Sequence, residues 1–367
     1  MIAAPYPSML ARASVLSSLS RNAFRVEQEC WFRTLSFALL LVFVFPAATA
    51  NAFPPDVYIR AQEASLALIV DGEEVGSGWV AYKEGLVVTV AHAFDAGAKH
   101  RIELMSYDGN LIPATLVAVD RGHDIAVLRP ETQPKAALFL PLARKRPTVG
   151  ETIFQFGAPL HRSGVLQPGN VAAPGTAFEY FPEQKDYVEV AYIAALMQRG
   201  TSGGPWLNSA GEVVGIQSAT VTTNDVLLGI AFMSPADFIG SLLDTLHDAA
   251  TPTLGLRGDE LWQQDHAFLA KWPSALKGVI VGALNQDGPA ANAGVKLMDI
   301  ITAIDGRRVN KVRELLLQIR SRKPGDKVTL EVRTLGEAKS VRREVILGCV
   351  EAGSVQQPDS PGGGSDR

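Results

Sequence analysis

The sequence predicts a mainly β protein in two parts, an all-β region over residues 57–233, then a helix and a smaller α+β unit over residues 254–347. Three observations predict it. Short apolar runs rich in β-branched residues recur between turns at the spacing of a sandwich or barrel. Strong turn pairs, Asp71-Gly72 and Gly211-Glu212, punctuate those runs. Beyond residue 254, strand-like runs alternate with a stretch whose Val312, Leu315, Leu316 and Ile319 fall on one face of a helix.

Residues 1–52 read as a signal peptide outside the fold. Arg33 precedes an apolar run from Leu35 to Phe45, and Ala50-Asn51-Ala52 offers a small-x-small cut before Phe53. A run of that length falls short of the roughly 20 apolar residues that a spanning helix needs, which favours cleavage over an uncleaved anchor. Met9 is an alternative start. Cleavage takes four arginines and two glutamates, so the net charge moves from −4 to about −6. That mild acidity leaves no basic footprint for nucleic acid. Repeats, zinc spacings and phosphate-cradling glycine motifs are also missing from the sequence. Cys30 leaves with the leader and Cys349 remains alone, so the core rather than disulfides must stabilise the exported chain.

Taken in order, Ser65-Leu66-Ala67-Leu68-Ile69-Val70 is a strand ended by Asp71-Gly72, and Gly76-Ser77-Gly78 reads as a turn into a strand at Trp79. Leu86-Val87-Val88-Thr89-Val90 reads as a buried strand that delivers Ala91-His92-Ala93. Asp124 opens the apolar strand Ile125-Ala126-Val127-Leu128; it reads equally as a carboxylate partner for a histidine or as a turn cap. Residues 160–182, rich in Gly and Pro, read as loops around a cleft. Residues 187–192 lead toward Gly200, and Trp206-Leu207-Asn208 pairs with Val213-Val214-Gly215-Ile216 as a hairpin. Ser234 caps a helix running to about His247, and residues 248–253 form a linker. From residue 348 to 367 the composition reads as a disordered tail.

The chain is organised around Gly200-Thr201-Ser202-Gly203-Gly204-Pro205. A serine hydroxyl is a poor nucleophile until a base takes its proton and donors hold the oxyanion. Gly200 stands two residues before Ser202, so their N–H groups can converge on one oxyanion. Alone, such a run is equally a flexible linker. Of six histidines, His92 is best placed as base, at the end of a rigid strand. His123 is a poor partner for its neighbour Asp124, because adjacent strand residues face opposite ways.

With Thr89-Val90-Ala91-His92-Ala93, His123-Asp124-Ile125-Ala126-Val127-Leu128 and Gly200-Thr201-Ser202-Gly203-Gly204-Pro205 in that order, the chain resembles the HtrA (Deg) family of exported serine proteases. Gly229-Ile230-Ala231-Phe232-Met233 and Gly288-Pro289-Ala290-Ala291-Asn292-Ala293-Gly294 extend the resemblance over about residues 57–347. It implies a chymotrypsin-like double β-barrel of two six-stranded barrels over residues 53–247, followed by a PDZ domain over 254–347. It implies His92 as general base, Asp124 as orienting carboxylate, Ser202 as nucleophile, and Gly200 and Ser202 amides as oxyanion hole, with no cofactor or metal. Leu254-Gly255-Leu256 resembles the loop that holds a peptide's C-terminal carboxylate. The implied partners are unfolded or damaged exported proteins, peptide C-termini, and two further copies in a homotrimer built on Phe53 and Tyr58. The implied place is the periplasm, free or anchored to the inner membrane. A catalytically silent PDZ sensor or chaperone on a protease fold is the alternative. Three positions depart from the family pattern: Thr201 replaces an Asn, Ala194 an acidic residue, and Lys296-Leu297-Met298-Asp299 a Pro-Gly turn.

Overall fold

Six antiparallel strands close the first barrel: β1 (Ser65–Val70), β2 (Glu73–Val80), β3 (Val87–Thr89), β4 (Ile102–Ser106), β5 (Leu111–Asp120) and β6 (Ile125–Pro130). The computed structural model describes residues 53–350 apart from 82–84, 96, 135–137, 225 and 338. The expected leader and residues 351–367 lie outside them. The barrel order is β1-β2-β3-β6-β5-β4, and β1 returns to β4 with Leu66 opposite Ser106. Asp71 (φ 54°) and Gly72 (φ 94°) make the two-residue β1–β2 turn, the left-handed pair that matches strand twist. Leu68, Leu104 and Leu128 fill the barrel with no exposed surface.

The second sheet has seven strands where the family resemblance implies six. They are β7 (Thr152–Gly157), β8 (Val165–Val171), β9 (Ala177–Phe181), β10 (Asp186–Ala194), β11 (Pro205–Leu207), β12 (Val213–Thr223) and β13 (Val226–Pro235). They run β13-β12-β11-β7-β8-β10-β9, and β13 also pairs with β10, so six close on themselves and β9 is added outside. Thus residues 160–182 carry two strands, β8 and β9, and are not loop throughout. Pro168 lies within β8, and Gly169 is there because a Cβ would stand 2.8 Å from the Trp206 ring. Between the barrels, Trp79, Val88, Ile125, Phe156, Leu207 and Ile216 form one shared core.

Two further expectations give way. Gly76-Ser77-Gly78 is not a turn but the middle of β2, where the missing Cβ atoms admit other backbone. Residues 55–64, which fell in the strand-and-turn region, form helix α1 (Pro55–Ala64). Its first-turn Pro55 and Asp56 suit a helix start, and Val57, Ala61 and Ala64 are buried at helical spacing. Phe53 lies on Phe154 (ring centroids 4.8 Å) and Tyr58 on Phe156 (5.5 Å), so both rings pack on β7 of the second sheet.

After β13, helix α2 (Ala236–Thr245) starts one residue past Pro235, ends in left-handed Leu246 and stops short of His247. Ser234 does not cap it: this residue is fully buried, and no helix N–H reaches its hydroxyl. The next segment is not a loose linker. Its end forms β14 (Pro252–Thr253), paired with β21 (Gly348–Cys349), so the start of the expected tail is ordered as well. The last sheet runs β15 (Leu256–Glu260), β16 (Val279–Leu284), β17 (Ile300–Ile304), β19 (Lys327–Arg333) and β20 (Val341–Ile346). The short β18 (Arg307–Arg308) lies beside β17. Helix α3 (Val312–Arg320) lays Leu315 and Ile319 on this sheet's core. The Lys296–Asp299 turn forms without Pro-Gly, with Met298 at φ 68° and the buried Asp299 carboxylate accepting from Lys296 N and Thr334 Oγ1. Among the described residues no helix is long and apolar enough to cross a membrane.

Candidate active site

β3 ends at Thr89, and a 3-10 turn over Ala91–Ala93 carries His92. The β5–β6 turn carries Asp124, which lies just before β6 at φ 56° and is fully buried. The left-handed conformation is uncommon for a residue other than glycine and is kept here by what the side chain gains. Asp124 Oδ1 accepts from His92 N at 2.9 Å, and Oδ2 faces His92 Nδ1 at 2.8 Å. Both carboxylate oxygens therefore grip one residue. With its proton on Nδ1, the ring leaves Nε2 free as an acceptor.

Three residues that the sequence did not single out complete this arrangement. Ser218, buried in β12, donates from Oγ to Asp124 Oδ2 at 2.5 Å. Arg121, in the Asp124 turn, donates to Ala91 O at 3.3 Å and to Phe94 O at 3.0 Å, bracing the His92 turn from both sides. Ser77 in β2 ties the first barrel to the serine loop. Its N–H donates to Ser202 O at 2.7 Å and its Oγ to Gly200 O at 2.7 Å. The glycine pattern around Ser77 was the available signal. A Cβ on Gly76 would stand 2.6 Å from Ser202 O, and one on Gly203 would stand 2.1 Å from Ser77 O.

The Ser202 loop follows β10 and is held by Gly203 N to Gln217 O at 2.7 Å and Gly204 N to Thr201 O at 2.9 Å. Thr201, the departure from Asn, is buried, and its hydroxyl donates to Gln198 O. Ser202 Oγ donates to Ser218 O at 3.2 Å. Among the described residues no hydrogen bond joins Ser202 Oγ to His92. Ser218 touches both, its carbonyl on the serine and its hydroxyl on the carboxylate of the His92 pair. Gly200 N and Ser202 N donate to no acceptor among the described residues.

His123 plays a different part. The two residues occupy a turn rather than a strand, and His123 turns away from Asp124, with Nδ1 2.7 Å from Asp120 Oδ2 and Nε2 3.7 Å from Glu189 Oε2. Its ring stacks on Phe238 at 3.6 Å. This joins the β5–β6 turn to β10 and α2, a structural clamp between the barrels.

The expected carboxylate loop Leu254-Gly255-Leu256 enters β15, with Leu254 and Leu256 buried and Gly255 at φ 68°. Its Gly255 N–H is taken by Thr253 Oγ1 at 2.9 Å.

The paired barrels, with a histidine gripped by a buried carboxylate at their junction and a glycine-bound serine loop beside it, define a trypsin-like peptidase fold. A trypsin-like peptidase domain model matches residues 76–216, and a PDZ domain model matches residues 226–345. The second match begins in β13, ahead of the sheet it describes. A probable periplasmic serine endoprotease DegP-like of Brucella suis biovar 1 (strain 1330) is 30% identical over 268 residues, 72% of this chain and 51% of that protein. A protein of the same description from Pseudomonas fulva (strain 12-X) is 28% identical over 284 residues, 77% of this chain and 57% of that one. The chain thus spans little more than half the length of these relatives. Among solved structures, the HtrA-type protease AlgW with tripeptide aligns at TM-score 0.56 and 23% identity, over 79% of this chain and 96% of that one. A serine endoprotease from Yersinia pestis aligns at TM-score 0.54 and 21% identity, over 80% and 98%. These two are likenesses of fold. The chain thus carries a trypsin-like peptidase domain followed by a PDZ domain, and is similar to serine endoproteases described as DegP-like.

Proposed function

We propose that the chain is a serine endopeptidase acting on unfolded or damaged exported proteins through an acyl-enzyme. The peptidase unit is 53–247 and the PDZ unit 254–347. The observation that carries this is the Asp124 carboxylate closed on both His92 N and Nδ1 next to the Ser202 loop. A turn of the Ser202 side chain away from Ser218 O presents Oγ to His92 Nε2, which takes its proton as Oγ attacks the scissile carbonyl. The ring then carries charge, which Asp124 stabilises without itself being protonated. The carbonyl oxygen becomes an oxyanion and meets the two uncommitted amides of Gly200 and Ser202. His92 returns the proton to the leaving amine, and water repeats the sequence on the ester. Side chains and amides supply every step, so no cofactor enters. The periplasm is the proposed place, since relatives are named periplasmic. PDZ-bound peptide C-termini are the proposed second ligand, and a homotrimer the proposed assembly, which mass photometry measures.

A fluorophosphonate probe is expected to label the protein and to fail on Ser202→Ala. Labelling that survives the substitution puts the nucleophile elsewhere.

The pH profile follows from the same pair. Burial disfavours charge on His92, but the Asp124 carboxylate outweighs it by its charge and its hydrogen bond, so the imidazole pKa is raised above 6.5. A base must be neutral to accept a proton, so kcat/KM should rise with pH through a midpoint above 6.5. Peptide hydrolysis measured from pH 5 to 9 checks this; a midpoint below 6.5 would contradict the grip of Asp124.

A further inference from the structure

In the PDZ sheet, β15 is an edge strand whose one strand neighbour is β16. Helix α3 lies along its other side. Such a gap between edge strand and helix is where an extended peptide adds, its main chain bonding to the free edge. Here the gap is already filled from within the chain. Tyr187, at the start of β10, is 4% exposed, and its ring lies among Leu256, Leu315 and Ile319. Its hydroxyl accepts from Gly258 N at 2.9 Å and donates to Gly258 O at 3.0 Å. One side chain thus satisfies both backbone groups that Gly258 would offer an incoming strand. The space left beside it is about 10 Å³, no more than a single water needs.

The preceding residue completes the likeness to a chain end. The Asp186 carboxylate is buried and accepts from Thr253 Oγ1, the same oxygen that takes the Gly255 N–H. It therefore sits one hydroxyl away from the loop expected to hold a terminal carboxylate. Arg320, at the end of α3, reaches back to Tyr187 O at 2.5 Å and lies 3.7 Å from Asp186 Oδ1. Beside this contact opens a wider cleft of about 1070 Å³ that includes Gln184, Lys185 and Gly255. Gln184 is 5% exposed, and neither its amide oxygen nor its nitrogen has a partner. Buried polar atoms are rarely left so, and this residue lines the cleft.

We propose that Asp186-Tyr187 is an internal ligand of the groove between β15 and α3, and that the partner able to displace it is a peptide with a free terminal carboxylate and a large aromatic last side chain. This rests on the reading of the second unit as a binder of peptide C-termini and adds that the groove is self-occupied. Such a peptide binds only the fraction of molecules from which Tyr187 has withdrawn, so its apparent affinity is reduced by that fraction.

The test uses full-length protein carrying Ser202→Ala, so that peptide is not cut. A fluorescein-labelled decapeptide ending in tyrosine is titrated as the free acid and as the amide, and anisotropy is read. Adding Tyr187→Ala should tighten binding of the acid by about tenfold or more, with the amide bound by neither protein. Equal affinity with and without Tyr187→Ala overturns self-occupancy and leaves the peptide-binding reading standing. Absence of binding by both proteins overturns the two together. Tyr187→Phe keeps the ring and guards against a folding defect. It should speed hydrogen exchange at the Gly258 amide in the peptide-free protein, and unchanged exchange there overturns the proposed cap.

Discussion

Replacing Asp124 by asparagine is expected to lower kcat by about 10⁴-fold while the protein stays folded. The reason lies in which atoms donate. Asp124 accepts three hydrogen bonds, from His92 N, His92 Nδ1 and Ser218 Oγ. An asparagine has one oxygen and one NH₂ group. If its oxygen stays on His92 N, the NH₂ faces Nδ1 and donates to it. The ring proton then moves to Nε2, the atom that must accept from Ser202, and the base is lost. Ser218 Oγ must also turn, since it can no longer donate to that position. The substituted side chain keeps its volume and loses a buried charge, so melting should shift by only a few degrees. About 10⁴ corresponds to roughly 5.5 kcal/mol of transition-state stabilisation. Measuring kcat and the melting curve on one preparation separates chemistry from folding. Wild-type turnover in a folded Asp124→Asn protein would remove Asp124 from the mechanism.

That prediction could not be made from sequence with the same force, because Asp124 there reads equally as partner and as turn cap. The strand periods locate β3 just ahead of the turn that carries His92, since β-branched runs of that kind are local signals. What decides Asp124 is a left-handed turn and contacts across 32 residues of sequence, neither of which has a local signature. Ser218 and Ser77 are harder still: their contacts span 94 and 123 residues, and a serine in a strand looks the same whether or not it holds another loop. The glycines beside Ser77 were misread because glycine marks both turns and close approaches; in β2 the second meaning applies. Pro168 and Gly169 misled for a related reason. They read as breakers, yet Gly169 makes room for a buried tryptophan within a strand. Tyr187 reads only as part of the run that leads toward Gly200, whereas its hydroxyl bonds Gly258 in another sheet.

Gly200→Ala should cost about 10²–10³-fold in kcat, the range seen when one oxyanion donor is lost. Two peptide planes meet at this residue, and each is pinned. Arg199 O accepts from Leu160 N at 2.9 Å, and Gly200 O accepts from Ser77 Oγ at 2.7 Å. In a trans peptide the N–H points opposite to the preceding C=O, so the first bond directs the Gly200 N–H away from Leu160. Holding both planes requires φ +93°, and a Cβ would stand 2.3 Å from Ala158 O. Alanine cannot meet either condition without moving. The backbone must relax toward negative φ, and rotating the Arg199–Gly200 plane turns the N–H out of the position proposed above for an oxyanion donor. Asp124 and His92 lie on the first barrel and are untouched, so the pH midpoint should stay where it is while kcat falls. That combination distinguishes a lost oxyanion donor from a disturbed base, which would move both. If Gly200→Ala retains wild-type kcat, the oxyanion is held by other donors. If the midpoint shifts together with the rate, the serine loop and the His92 turn are mechanically joined, and Ser77, which bonds both Gly200 and Ser202, becomes the residue to vary next.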